Sequence, residues 1–221
     1  RGKAEIVYRT QLKSVDYSDK EKLFEVRTDK ETYRCDICIL SCGGLSGPKT
    51  TLSTGDGYYI AERLGIRTSA RYQALSSLAA DKKMFFPDAG IRVEAGVKLI
   101  SEGNTLQEER GEIQLNKGSI SGIPVLQLSE EAARRLSDGK EIHLVLDLLP
   151  EINEEDYEKV IKERIALFRE EPDTGLGEFL NGLANSNINE IQLAVFKYGS
   201  SKRLREMSDP ELIELCRSYK K

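Results

Sequence analysis

At 221 residues, with 39% apolar and 32% charged side chains, the chain has the composition of an ordered, soluble protein and enough length for one large domain or two small ones. Its net charge of −4 argues against a general nucleic-acid binder, which carries a basic surface. No stretch approaches the roughly 20 apolar residues of a membrane-spanning helix and no signal peptide opens the chain, so a cytoplasmic location is expected.

In chain order, residues 4–42 read as β structure. "AEIVYRTQLKSVDYS" and "KLFEVRTD" alternate apolar and polar residues on either side of Asp- and Lys-rich turn chemistry. Arg1, not Met, opens the chain within this pattern, which suggests an excised segment of a longer protein. "YRCDICILSC" ends nearly all apolar, as in a strand covered on both faces. Its Cys35, Cys38 and Cys42, with Cys216 far downstream, are the four cysteines. A zinc site needs a second pair or histidines, and His143 is the only histidine. A thioredoxin-type Cys-x-x-Cys belongs at a strand-to-helix turn, so the three clustered cysteines read as reduced strand residues.

A glycine-rich loop, "GGLSGPKTTLSTGDG", comes next. The following helix runs through "DGYYIAERLG", with Tyr59, Ile60, Arg63 and Leu64 at helical spacing and Gly65 where a C-terminal cap belongs. Residues 72–123 are again β-rich. The runs "ALSSLAA", "IRVEAGVKLI", "NTLQEER" and "GEIQL", broken by Gly, Asn and Asp, fit a small antiparallel sheet or barrel. "LSEEAARRLSDGK" reads as a helix opened by Ser129, whose hydroxyl accepts from first-turn amides, and ended by Gly139. "EIHLVLDLLP" is a strand stopped by Pro150.

From Asn153 the pattern turns helical. "NEEDYEKVIKERIALFREEP" places Tyr157, Val160, Ile161, Ile165 and Phe168 on one stripe behind an acidic first turn. "GLGEFLNGLA" and "NINEIQLAVFKYG" are shorter helices, and "SDPELIELCRSYKK" opens with Ser208 and Glu211 in capping-box spacing. None is long enough to stand alone, so a packed bundle is expected.

Few residues here carry chemistry by themselves. His143, between Ile142 and Leu144, reads as a packed or surface residue, and no nucleophile motif accompanies it. "EEDYE" and "REEPD" read as solvated helix ends. The basic run from Lys197 to Arg205 is a candidate anion or partner patch, with plain exposed charge as the alternative. Tyr58 and Tyr59 are candidates to stack on a cofactor, with packing of at least one as the alternative. Gly55-x-Gly57 is not a diphosphate loop. A Rossmann fingerprint sets its glycines directly after a strand, whereas here Ile60 stands at the third glycine's place and Cys42 ends the strand about a dozen residues upstream. No Gly-Lys-Ser/Thr of a P-loop occurs either. Pattern alone leaves a loop leading into a helix capped by Thr54 or Asp56.

Larger blocks are more specific. "CDICILSCGGLSGPKTTLSTGDGYYIAERLGI" closely resembles the YhiN/BaiN-like FAD-dependent flavoproteins. There a strand of the FAD domain ends in an Ala-Thr-Gly-Gly-like turn, followed by Ser-x-Pro and then Ser-Thr-Gly-Asp-Gly-Tyr. The matching residues are Ser41, Cys42, Gly43 and Gly44, then Ser46 and Pro48, then Ser53 to Tyr58. "GEIQLNKGSISGIPVLQLS" is similar to a second family block and "LVLDLLPEI" to a third. The sequence departs from the family at Leu115, Asn116 and Lys117, which stand where Phe-Thr-His is usual, and at Gly122-Ile123-Pro124, which replaces Gly-Pro. The family's N-terminal Gly-x-Gly-x-x-Gly and C-terminal glycine-rich flavin segment are not in this chain.

The resemblance implies an α+β fold in three parts. Residues 1–71 would be the C-terminal part of a split FAD-binding domain segment of antiparallel strands. Residues 72–151 would be an insert β-barrel, and residues 152–221 an α-helical subdomain. It implies FAD as cofactor in the intact protein, with Cys42, Gly43, Gly44, Ser46, Thr54, Gly55, Asp56 and Gly57 as cofactor-binding residues and the insert covering the flavin. The glycines would let backbone approach the cofactor without Cβ clashes. The expected function is that of a fragment of a cytoplasmic FAD-dependent oxidoreductase, inactive alone, acting on a small molecule the residues do not specify. The expected partners include no nucleic acid and no membrane, and a strand edge left open would allow a homodimer. The competing reading is a stand-alone protein-interaction module.

Overall fold

Residues 4–80 and 90–220 are described in the computed structural model of the chain. The fold is α+β, and it divides into two units, Arg1–Arg71 and Tyr72–Lys221.

In the first unit, β1 (Leu12–Ser18), β2 (Leu23–Thr28) and β3 (Thr32–Cys35) form an antiparallel sheet in that order. The alternation that predicts these strands also sets their register. Val15 lies opposite Val26, and Tyr17 opposite Phe24 with ring centroids 4.9 Å apart. Two short helices follow, α1 (Pro48–Thr51) and α2 (Asp56–Arg63), and Gly65 (φ +75°) ends the second as its spacing predicts. Arg63 Nη2 donates to Asp16 Oδ1 at 3.3 Å, tying α2 to β1. Val15 and Ile60 are the buried hydrophobic residues described in this unit.

Two β expectations fail here. The strand predicted from residue 4 begins only at Leu12, and the ladder stops at Cys35. The apolar stretch expected to be covered on both faces leaves Ile37 77% and Ile39 84% exposed. An apolar run becomes a strand only where a neighbouring edge takes its amides and carbonyls, and no described residue offers one.

The second unit holds the larger core. Its sheet comprises β4 (Leu78–Ala79), β5 (Ile91–Ser101), β6 (Asn104–Asn116), β7 (Ser119–Gly122) and β8 (His143–Asp147), in the order β4-β7-β6-β5-β8 with every pair antiparallel. The runs expected as two strands around Gly111 are one continuous strand. Gly111 (φ +151°) stays in register opposite Ala95. Helix α3 (Ile123–Ser137) covers the sheet, burying Val125, Leu128 and Ala132. It starts six residues before Ser129, because Pro124 occupies its first turn, where its missing N–H costs nothing. Ser129 is therefore no cap. Its buried hydroxyl donates to the Leu126 carbonyl at 2.7 Å and accepts the Ser76 amide at 3.2 Å.

The helical part comprises α4 (Glu154–Phe168), α5 (Leu176–Leu180), α6 (Ser186–Val195) and α7 (Asp209–Arg217). Asn153 and Asn185 cap α4 and α6 through their side-chain oxygens, each 2.9 Å from the amide three residues on. Ser208 and Glu211 form the expected capping box on α7. Tyr157, Ile161 and Ile165 are buried from the α4 stripe, but Val160, on the flank of that face, is 41% exposed. Arg169, at the end of α4, holds the segment that leads into α7, donating to the carbonyls of Leu204 and Met207 at 2.7 Å and to Asp209.

The buried residues of the sheet and of the helices form one continuous cluster. Polar bonds fasten the two at the chain's end. Lys220 Nζ, its side chain 8% exposed, donates to Asp147 Oδ2 (2.7 Å) and to the carbonyls of Leu149 (2.8 Å) and Ile152 (2.6 Å). Leu148 N donates to the Tyr219 carbonyl at 2.7 Å. Deeper in, the Tyr157 hydroxyl donates to the Cys216 carbonyl (2.9 Å) and the Tyr219 hydroxyl to Asn189 Oδ1 (2.8 Å).

Replacing Lys220 by Met strands a half-buried carboxylate and two carbonyls, and is expected to cost about 2–4 kcal/mol, measured by urea unfolding. Burial pushes the Tyr157 and Tyr219 hydroxyls up and raises the Cys216 thiol to about 12. These groups stay protonated in the folded chain but ionise in the unfolded one as pH passes their ordinary values. The stability they confer is thus complete below pH 9.0, the ordinary thiol value, and declines as pH rises toward the folded values. Tm should therefore fall above that pH, and Cys216→Ala should flatten the first part of the fall.

Candidate functional site

The segment from Leu40 to Gly44 meets the first turns of α2 at an open concavity of about 390 Å³, whose other lining residues are Gly57, Tyr58 and Ala61. Local chemistry holds the loop in this shape. Gly43 adopts φ +79°, and the Ser53 hydroxyl lies 2.6 Å from the Gly44 carbonyl and 3.3 Å from that of Cys42, bridging the turn. A Cβ on Gly43 would stand 2.9 Å from Ser53 Oγ. Gly55 (φ +77°) is the N-cap of α2, and a Cβ there would come within 2.6 Å of Leu45. Neither Thr54 nor Asp56 caps this helix, contrary to the pattern. The Thr54 hydroxyl donates to Asp56 Oδ1 at 2.7 Å instead.

Of the residues expected at a cofactor, Cys42, Gly43, Gly44 and Gly57 come together around the concavity. Ser46, Thr54, Gly55 and Asp56 lie outside its lining; Ser46 contributes its carbonyl to Thr51 Oγ1 and Gly55 its turn. Of the two tyrosines weighed between stacking on a cofactor and packing, Tyr58 lines it, whereas Tyr59 is 62% exposed. A Cβ on Gly44 would stand 3.5 Å from the Tyr58 hydroxyl and one on Gly57 3.6 Å from Cys42 Cβ, so side chains at either position would narrow the space. The lining offers backbone, a thiol and hydroxyls but no charged side chain. That chemistry fits the uncharged ring section of a flavin better than its diphosphate. Leu40, Ser41 and Ala61 were not among the expected residues, because their part in the lining depends on how α2 folds back on the loop.

A second concavity, of about 630 Å³, opens within the second unit between β4, β8 and α6. Its lining is aliphatic except for His143 and Gln192. Gln192 Oε1 already accepts from Ser218, and exposed His143 lies 3.6 Å from Glu141. The basic run is tied into the fold as well. Lys202 sits 4.3 Å over the Tyr198 ring, Arg203 donates to the Asp173 carbonyl and Arg205 pairs with the Asp173 carboxylate. Among the described residues no group of three or more His, Cys, Asp or Glu could hold a metal ion, and no helix is long and apolar enough to cross a membrane.

The second and third motif blocks serve the second unit's architecture. Gly122 (φ +108°) passes so close to β6 that a Cβ would lie 2.4 Å from the Glu112 carbonyl oxygen, and one on Gly111 would meet Pro124 at 3.2 Å. These contacts let α3 leave β7 directly across β6. In the third block, Asp147 accepts from Lys220 and, at 2.9 Å, from the Leu149 amide.

Comparison with known proteins places most of this second unit. The model of the HI0933-like protein barrel and H2TH domain matches residues 74–221. The chain is also similar to the 3-dehydro-bile acid delta(4,6)-reductase of Clostridium scindens, with 35% identity over 162 residues, 73% of this chain. The match spans 39% of that protein's length.

The free thiols differ enough in setting to be separated chemically: Cys42 is exposed, Cys38 is raised chiefly by burial, and Cys216 is fully enclosed. Iodoacetamide at pH 8 on the folded chain, followed by peptide mass spectrometry, should modify Cys42 first and leave Cys216 unmodified until denaturant is added.

Proposed function

The chain belongs to the HI0933-like family of FAD-dependent flavoproteins, and from that premise we propose that it is part of a cytoplasmic FAD-dependent oxidoreductase. The observation that carries the reading is the uncharged concavity where the glycine turn at Cys42–Gly44 meets Gly57. Both strands of evidence on this turn, its flavoprotein-like motif and its open backbone, favour a planar cofactor. FAD, when bound, supplies the electron chemistry; the chain's part is to bind and orient it. Cys42, Gly43, Gly44 and Gly57 would face the cofactor directly. Ser46, Thr54, Gly55 and Asp56 would hold the turn that presents them.

The second unit, in this reading, is an insert composed of a barrel (72–151) and a helical subdomain (152–221) that covers the flavin and shapes a substrate pocket. The relative is named for reducing a 3-dehydro-bile acid, so reduction of a small molecule is the chemistry we propose for such a site. Exposure of Ile37 and Ile39 supports the view that residues 1–71 are one part of a larger FAD-binding domain, which would cover them. In the isolated chain the open edge of β3 is where a second copy would pair. Residues 1–221 alone are then expected to be inactive.

The complete protein decides the matter. It should purify yellow, or turn yellow on reconstitution, with flavin absorbance near the usual blue band, while residues 1–221 alone should retain no FAD. A complete protein that is colourless and takes up no FAD would overturn the proposal.

A further inference from the structure

We infer that Tyr58 is a ligand-contacting residue of this site, donating a hydrogen bond from its hydroxyl to an acceptor on a planar heteroaromatic ligand. The inference rests on the flavoprotein reading above and sharpens it to one side chain.

The ring is held on two sides and the hydroxyl is left available. The Arg71 guanidinium lies 4.8 Å from the Tyr58 ring centroid, and Arg71 is itself 3.6 Å from Glu62 Oε1, one turn further along α2. Tyr58 Cδ2 packs beside Gly55, 3.3 Å from where a Cβ would stand. At the far end, the hydroxyl projects to within 3.5 Å of the Cβ position of Gly44, across the concavity that both residues line. No described residue shares a hydrogen bond with it. A half-buried phenol fixed at its ring and unpaired at its tip, facing glycine backbone, has the geometry of a group waiting for an external acceptor. A flavin ring system carries carbonyl and nitrogen acceptors along one edge. The glycines opposite leave room for such a plane to lie against backbone.

Tyr58→Phe in the complete protein removes the donor and keeps the ring. FAD affinity, measured by quenching of flavin fluorescence on titration into apoprotein, should weaken about five- to tenfold, the worth of one neutral hydrogen bond. The flavin absorption band of the bound form should also shift, since a donor to the ring is lost, and Tm of the apoprotein should stay unchanged. Tyr59→Phe, altering the neighbouring exposed hydroxyl, should bind as the wild type does. If Tyr58→Phe binds within twofold of wild type with an identical spectrum, the inference is wrong while the flavoprotein reading stands. If the wild-type complete protein binds no FAD, both fall together.

Discussion

The second unit depends on a clasp made by the last residues of the chain. Lys220 gives three hydrogen bonds to Asp147, Leu149 and Ile152, and the Tyr219 carbonyl receives the Leu148 amide. These bonds join the final helical turn to the junction where β8 ends and α4 begins. An ammonium so buried is tolerable only because all three of its protons are used and one partner is a carboxylate. The clasp sets where the helices sit on the sheet, which lets Leu212, Leu215 and Tyr219 share a core with Val97, Leu99 and Ile113.

Among its described residues the first unit has no comparable device. Its sheet is small, its described buried hydrophobic residues are Val15 and Ile60, and several large apolar side chains, among them Ile37, Ile39 and Leu52, face outward. The glycine turn is nonetheless ordered locally, by the Ser53 hydroxyl and by positive φ angles at Gly43 and Gly55, so the candidate cofactor surface is shaped by short-range bonds.

Two kinds of glycine motif therefore occur in one chain. At Gly111 and Gly122 the missing Cβ permits a helix to cross a strand at van der Waals distance, and no ligand is needed to explain it. At Gly44 and Gly57 a Cβ would touch the Tyr58 hydroxyl at 3.5 Å and Cys42 Cβ at 3.6 Å, and both glycines line the concavity. Spacing within the sequence does not distinguish these uses, because each depends on what lies opposite.

Local chemistry was legible from the residues alone. Alternation marked β1 and β2, the Ser208–Glu211 box and Asn153 marked helix starts, and Gly65 and Gly139 marked helix ends, since each signal acts within a few residues of itself. The motif blocks likewise pointed to the flavoprotein family. What required tertiary structure was every feature set by a distant partner. The apolar run 36–42 looked like a strand but had no edge to pair with. Ser129 looked like a cap but lay inside a helix begun at Ile123, and Tyr58 came to line the concavity only when α2 folded against the glycine turn. Hydrogen-bond partners and facing surfaces are nonlocal, so the sequence determined the elements and the family, and the tertiary fold alone decided which of their side chains meet.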